Sequence, residues 1–361
     1  MKKQTICICG GGNLAHVVGG FLAAKTNGEV SLLTRHPERW NPNRTITVSD
    51  NDGGVSVGKF SNITSDPQIA LTGADIVLFC LPGYAIAEEL EKIKPYLQEK
   101  QIVGSVVSST GFFLMAKRIL PSGTPLFGFQ RVPFIARVDE YGNSASLLGY
   151  KQSLYFATDG VENPVDLSYV FSSLFDIPVY WLDNFLKVTL TNSNPLLHPS
   201  RLFGMFGTGV QEFENPLLFY EDWDDFSSEI YIACDIELHT LMNKLHLSEK
   251  DIPTILSYYE SEDAATLTKK IRSIKAFKGL LAPMRLSENG KYVPDYANRY
   301  FTEDIPFGLL LVKAFAEKMS VSTPTIDKLI CWAQSVMGKD FLVDQRLEGR
   351  DVEETIVKYI L

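Results

Sequence analysis

Four side chains in the second half of this 361-residue chain have the types and spacing for acid–base chemistry on a carboxylate-bearing molecule. Asn194 and His198 stand four positions apart, and each directly precedes a proline, Pro195 and Pro199. Proline lacks an N–H and disfavours the α conformation of the residue before it, so the helical pattern is interrupted here. Side chains four apart on a helix project to the same side. One reading is an amide and an imidazole held side by side at a broken helix, as a reaction centre. The other is a plain helix start, with Asn194 as N-cap and Pro195 in the first turn. Further on, Arg299 and Asp304 lie in the stretch Arg299-Tyr300-Phe301-Thr302-Glu303-Asp304-Ile305-Pro306-Phe307-Gly308. A carboxylate from Asp304 on the far ring nitrogen of His198 would fix its tautomer and stabilise the imidazolium. Arg299 would then offer a planar fork to a substrate carboxylate. Asp304 could equally cap a helix over residues 305–319, with Pro306 in its first turn.

A second centre lies at the N-terminus. Ile6-Cys7-Ile8-Cys9-Gly10-Gly11-Gly12-Asn13-Leu14-Ala15 reads as strand, tight turn and helix, framed as Gly10-x-Gly12-x-x-Ala15. In a dinucleotide fingerprint the first glycine makes the turn, the second lets backbone approach a pyrophosphate, and the small third residue lets helix pack on strand. The free N–H groups of Asn13, Leu14 and Ala15, at the helix start, would then meet the phosphates. A structural turn is the bland alternative. At the end of the next strand an acidic residue commonly bonds the adenosine ribose. This chain has Thr34-Arg35 there, and no carboxylate before Glu38. Arg35, helped by Arg39, suits a 2′-phosphate, which favours NADP over NAD; stacking on adenine would be compatible with either.

These residues need a scaffold, and the hydrophobic pattern supplies one. Glu29–Thr34, Ala74–Pro82 and Ile102–Ser108 are apolar strands, and Ala85–Leu97 is an amphipathic helix between two of them. Strands alternating with helices predict an α/β fold with a Rossmann-type, doubly wound parallel sheet. Its ligand crevice lies beyond the carboxyl ends of the strands, where Gly10–Gly12, Thr34-Arg35, Leu81-Pro82-Gly83 and Ser108–Gly111 fall. Residues 41–62 read as a hairpin inserted in the connections. Pro125–Phe129, Ala145–Gly149 and Gln152–Ala157 are expected to extend the sheet, and Val179–Leu182 to end it. From about Asn184 long helical patterns take over: 185–206, 226–247, 254–259, 264–278, 305–319 and 324–337. We therefore expect a dinucleotide-binding domain over 1–183 and an all-helical substrate domain over 184–361.

Composition narrows the partners. A net charge of −9 argues against a nucleic-acid or anionic-membrane surface. No apolar span of about 18 residues or basic-then-apolar leader is evident, so no membrane partner and a cytoplasmic location are expected. The five cysteines are scattered, without zinc spacing or a disulfide framework. Cys7 and Cys9 alternate with isoleucine and read as packing residues. His16 reads as a helix-face residue and His36 as part of the adenosine-end loop. His239 and His246 share a helix face without further ligands, so no metal is expected. The stretch 206–229 is acidic and aromatic (Glu212, Glu214, Tyr220, Glu221, Asp222, Trp223, Asp224, Asp225) and reads first as a solvated loop, with a pocket for a cationic amino acid as the sharper alternative.

The chain resembles the NAD(P)-dependent octopine/nopaline (opine) dehydrogenases over nearly its whole length. The likeness rests on the frame Gly10–Ala15, on Asn194-x-x-x-His198-Pro199, on Arg299-x-x-x-x-Asp304-x-Pro306, and on a strand-rich domain followed by a helical one. It implies an oxidoreductase in which an amino acid condenses with a 2-oxo acid and reduced nicotinamide delivers hydride to the imine. It further implies that His198 and Asp304 form the acid/base dyad, that Asn194 orients substrate and that Arg299 grips a carboxylate. The family's helical domain usually carries an Asp-x-Glu-Arg run, whereas here Asp235-Ile236-Glu237 is followed by Leu238. Two other functions fit the same plan: a dehydrogenase reducing a 2-oxo acid to an alcohol, where Lys187 would rival His198 as proton handler, and a non-catalytic nucleotide-binding protein. Neither the amino acid, the oxo acid nor the stereochemistry is encoded legibly, and a homodimer is compatible with the sequence.

Overall fold

The computed structural model describes residues 4–26, 29–209, 212–248 and 250–360. The chain divides into two compact units, Met1–Thr189 and Leu190–Leu361. This boundary lies slightly past the expected 183/184. The short helix Leu186–Thr189 stays with the first unit because the Gln130 amide donates to the Lys187 carbonyl at 2.8 Å and the Phe113 ring packs on Phe185.

In the first unit an eight-stranded sheet runs in the order Val179–Leu182, Leu154–Asp159, Leu126–Phe129, Ile102–Ser105, Ile76–Phe79, Ile6–Cys9, Val30–Leu33, Asn62–Thr64. Strand Ile6–Cys9 is central, pairing in parallel with Val30–Leu33 on one side and Ile76–Phe79 on the other. All residues of these three strands are buried, as strands covered on both faces must be. One pairing departs from the parallel pattern: Leu154–Asp159 runs antiparallel to Leu126–Phe129 and carries Val179–Leu182 with it.

A second, four-stranded sheet has the order Val55–Lys59, Thr45–Asp50, Ser144–Tyr150, Phe134–Glu140. The expected hairpin at 41–62 is its first half. Ala145–Gly149 belongs here and does not extend the main sheet, because its partner Thr45–Asp50 has already left that sheet. Helix Asn13–Lys25 lies between the two sheets and is buried nearly all round, as a helix covered on opposite faces should be. Gly20 and Gly58 permit this: a β-carbon on Gly58 would collide with the Gly20 carbonyl.

The second unit is built on helices Asn194–Phe206, Asp225–Lys244, Ala264–Ser273, Leu310–Lys318 and Pro324–Met337. It is not wholly helical, since Met284–Leu286 and Tyr292–Pro294 form a small antiparallel hairpin. The expected helix 185–206 is two helices, broken over 190–193 immediately before the Asn194-Pro195 pair. The expected helix 305–319 opens with a π-helical turn, Ile305–Leu309, before continuing as Leu310–Lys318.

Candidate active site

The histidine lies in the first turns of helix Asn194–Phe206. Helix starts tolerate proline, so Pro195 fits; Pro199 removes one further helical bond. Ser193, not Asn194, holds the N-cap position and makes no side-chain cap. The Asn194 side chain is exposed, while His198 four residues on is buried. Against this helix packs the π-helical turn Ile305–Leu309. Gly308 sets their approach: a β-carbon there would sit 2.9 Å from Pro195 Cβ. Asp304, at the head of that turn, makes no cap with its side chain. Its Oδ2 instead lies 2.7 Å from His198 Nδ1, and both groups are buried.

The imidazole is enclosed on its other sides too. Nε2 lies 3.1 Å from the Tyr220 hydroxyl, the Tyr300 ring stacks on the imidazole at 4.0 Å, and Phe219 meets it edge-on. With Nδ1–H donated to Asp304, Nε2 is an acceptor and the phenol of Tyr220 donates to it. Burial first, then the phenols of Tyr300 and Tyr259 and the Asp304 carboxylate, push the Tyr220 pKa well above that of an ordinary phenol. A neutral phenol is thus fixed on the imidazole.

Arg201, three residues after His198, is fully buried and bolts the Phe219–Asp224 segment in place. Its Nε donates to the Phe219 carbonyl at 2.9 Å and Nη2 to the Asp222 carbonyl at 2.6 Å. Its Nη1 meets Asp224 Oδ2 at 3.0 Å. The centre of the acidic, aromatic stretch is therefore not a solvated loop. Tyr220 and Trp223 are core residues, and Asp224 is the counter-ion of a buried guanidinium. Glu212 and Glu214, at its start, do lie at the surface, beside Lys291. Arg299 is exposed, with Nη2 2.9 Å from Glu303 Oε2.

In the first unit the glycine turn has the form of a phosphate cradle. Gly10 has φ +145°, and a β-carbon there would lie 2.6 Å from the Cys80 carbonyl oxygen, so its glycine is required by the fold. At Gly12 a β-carbon would meet no protein atom within 4 Å, which leaves room for a ligand at the helix start. The first helical bond runs from His16 N to Gly12 O, so the N–H groups of Asn13, Leu14 and Ala15 precede the helical ladder. Ala15 is buried, as close packing on the strand demands, and Leu14 is partly buried against the same core. Thr34 is buried with its hydroxyl beside Gly11, and Arg35 is exposed. Leu81 and Pro82 are half-buried at the end of Ile76–Phe79, where Pro82 leads into helix Gly83–Ile93. Backbone N–H groups at a helix start, open space at Gly12 and a cation at the second strand's end fit a dinucleotide.

Comparison with known proteins agrees. Residues 181–337 match the family model described as NAD/NADP octopine/nopaline dehydrogenase, alpha-helical domain, and residues 6–110 match ketopantoate reductase PanE/ApbA. The chain is 33% identical to octopine dehydrogenase of Pecten maximus over 97% of its own length and 94% of that protein. It belongs to the octopine/nopaline dehydrogenase family. Tauropine dehydrogenase of Arabella iricolor is 28% identical over 97% of this chain and 96% of that protein. Among solved structures, octopine dehydrogenase with NADH and L-arginine superposes with a TM-score of 0.87 at 30% identity, covering 98% of this chain and 95% of that one.

Within this opine dehydrogenase-family scaffold several side chains are committed elsewhere than expected. Asn13 Oδ1 accepts from Val138 N at 2.9 Å, which ties that side-chain oxygen to the second sheet. Arg39 lies over the Tyr141 ring at 4.2 Å. Lys187 pairs with Asp183 at 2.7 Å. His16 is buried and joins the glycine turn to the second sheet: Nδ1 donates to the Gly12 carbonyl, and Nε2 accepts from Gly142 N, both at 2.9 Å. The Asp235-Ile236-Glu237 run has structural partners. Asp235 accepts from Asn192 and from Ile255 N, while Glu237 receives the Thr325 and Ile326 N–H groups at the start of helix Pro324–Met337. Sequence reasoning missed Tyr220 as a partner of His198, along with Arg201 and Gly308. Tyr220 stood in plain view in the aromatic stretch, and Arg201 one helical turn past His198, but nothing local tied them to the imidazole. No helix among the described residues is long and apolar enough to cross a membrane.

Proposed function

We propose that this opine dehydrogenase-family enzyme joins the amino group of an amino acid to a 2-oxo acid and reduces the resulting imine, with His198 as general acid/base and Asp304 as its orienting partner. The observation that carries the reading is the buried 2.7 Å contact of His198 Nδ1 with Asp304. A carboxylate there keeps the proton on Nδ1 and stabilises the imidazolium formed when Nε2 takes a proton. Condensation needs this twice: a proton leaves the attacking amine, and one must reach the carbinolamine hydroxyl before water departs. Reduced nicotinamide, when bound, supplies hydride to the imine carbon. Asn194, exposed on the same helix, orients substrate, and Arg299 pairs with a carboxylate.

The cradle at Gly10, Gly12, Asn13, Leu14 and Ala15 holds the pyrophosphate, with Thr34, Leu81 and Pro82 flanking it. Arg35, with no carboxylate at that strand end, supports NADPH over NADH. Octopine dehydrogenase was solved with NADH, and a kcat/KM comparison of the two nucleotides decides for this chain. NADH outperforming NADPH rejects the Arg35 assignment.

The activity is tested with a matrix of amino acids against pyruvate, oxaloacetate, glyoxylate and 2-oxoglutarate, following nucleotide oxidation and identifying products by mass. L-Arginine with pyruvate is the first pair to try, because octopine dehydrogenase structures carry arginine and pyruvate. A secondary-amine dicarboxylate product is expected. Equal turnover of an oxo acid without any amino acid would replace this reading with carbonyl reduction.

A further inference from the structure

We propose that Tyr220 is a catalytic residue of this site, the last member of a proton relay that runs Asp304–His198–Tyr220 to the substrate. The inference rests on the proposed dyad and extends it by one group. Both ring nitrogens of the imidazole are engaged, Nδ1 by Asp304 and Nε2 by the Tyr220 hydroxyl at 3.1 Å, with Tyr300 on one ring face and Phe219 at an edge. A substrate that exchanges a proton with Nε2 must therefore displace Tyr220 or use it.

The structure opposes displacement. The Tyr220 ring stacks on Phe277 at 4.0 Å with 15° between planes, and Phe219 packs on its edge. The peptide on either side is fastened by Arg201, which binds the Phe219 and Asp222 carbonyls and the Asp224 carboxylate from a fully buried position. Freeing the phenol would break its ring contacts with Phe219, Trp223 and Phe277. Passing a proton requires only that its O–H bond change sides.

The step balances. In the addition, the substrate ammonium gives one proton to the Tyr220 oxygen as the Tyr220 proton passes to Nε2. The freed nitrogen lone pair bonds to the carbonyl carbon as the C=O π pair moves to oxygen, and a second N–H proton then moves to that oxygen to give the carbinolamine. In the dehydration, the Nε2–H bond breaks and its proton goes to the phenol oxygen. The phenol proton goes to the carbinolamine hydroxyl, the C–O bond breaks, and water leaves as the nitrogen lone pair forms C=N. Tyr220 ends each step neutral, in keeping with a buried phenol whose ionisation is suppressed. The two electrons of the later reduction come from the nicotinamide and do not involve the relay.

Tyr220→Phe keeps the ring and its stacks and removes only the hydroxyl. We expect kcat for opine formation to fall about 10²–10⁴-fold, with nucleotide Kd, substrate KM and Tm close to wild type. The proton inventory in H₂O/D₂O mixtures should be curved in the wild type, as two protons in flight require, and linear in the variant. Fluorotyrosine at 220 gives a second measurement that leaves fold and hydroxyl intact; kcat should then track the lowered phenol pKa. Retention of kcat within about threefold in Tyr220→Phe, or a rise in KM at unchanged kcat, overturns the relay. His198→Ala separates the two levels: turnover surviving there removes the dyad as well, whereas turnover surviving only in Tyr220→Phe removes the relay alone.

Discussion

Asp304 Oδ2 and His198 Nδ1 lie 2.7 Å apart across 106 residues of sequence, and a glycine decides that they meet. Gly308 allows the π-helical turn after Asp304 to close on Pro195 in the first turn of the histidine's helix. Single π turns inside helices are frequent at functional sites, because they redirect side chains that a regular helix would aim elsewhere. Asp304→Asn should keep the shape and lose the chemistry. The amide can donate to Nδ1, which moves the imidazole proton to Nε2 and removes the charge that stabilises the imidazolium. A fall in kcat of about 10³–10⁴-fold is expected, with little change in nucleotide affinity measured by fluorescence titration. Activity within tenfold of wild type would show that the carboxylate is structural.

The two flanking glycines of the N-terminal turn should separate stability from binding. Gly10 sits at φ +145° with the Cys80 carbonyl 2.6 Å from any β-carbon. Gly10→Ala is expected to cost at least about 2 kcal/mol and to lower Tm by roughly 2–4 °C per kcal/mol. At Gly12 a β-carbon would touch no protein atom. Gly12→Ala should therefore leave Tm unchanged while weakening nucleotide binding at least tenfold, because the methyl group stands where the pyrophosphate approaches. Isothermal titration and a thermal melt on both variants check the contrast; equal nucleotide Kd for Gly12→Ala and wild type would move the cradle elsewhere.

His16 makes the first unit sensitive to acid. Burial lowers its pKa, opposed in part by its bond to the Gly12 carbonyl, and the ring is held neutral with Nε2 accepting from Gly142 N. Its folded pKa thus lies below the unfolded value of about 6.5. Between those two values the unfolded chain binds more protons, so stability rises with pH through that window and levels off above it. Urea midpoints measured from pH 5 to 8 should show this rise, and His16→Gln should flatten it. A midpoint that falls with pH over the same window, or a slope unchanged by the substitution, would contradict the assignment.

Local chemistry made part of this molecule legible in the sequence. Strand Ile6–Cys9 and its neighbours could be read because strands buried on both faces need unbroken apolar runs, and the glycine turn because few residues fit its backbone. The meeting of His198 with Asp304 was an expectation carried by residue types and by family resemblance, and the structure brings the two together. What stayed hidden depends on contacts between distant segments. Ala145–Gly149 alternates like any half-buried strand, and its placement in the second sheet follows from pairing with Thr45–Asp50, which no local pattern states. Tyr220 looked like part of an acidic surface loop because the cation that draws Asp224 inward, Arg201, is more than twenty positions earlier. The Asp235–Glu237 run is similar: its carboxylates serve Asn192, Ile255 and the start of helix Pro324–Met337, partners invisible from the helix itself.

Arg299→Lys should separate substrate from cofactor recognition. The Arg299 side chain is 60% exposed and has Nη2 2.9 Å from Glu303, a carboxylate that is itself buried. One edge of the guanidinium is thus steadied by Glu303, and the other can pair with an anion through two parallel hydrogen bonds. Lysine keeps the charge but not the fork. For Arg299→Lys a loss of about 1.5–3 kcal/mol is expected, the size of a hydrogen bond to a charged group. This reads as a roughly 10- to 100-fold fall in kcat/KM for the 2-oxo acid or the amino acid. An initial-rate grid varying both substrates and the nucleotide locates the effect. If the nucleotide KM rises instead while both substrate KM values stay put, Arg299 holds the cofactor and the substrate carboxylate must be bound elsewhere.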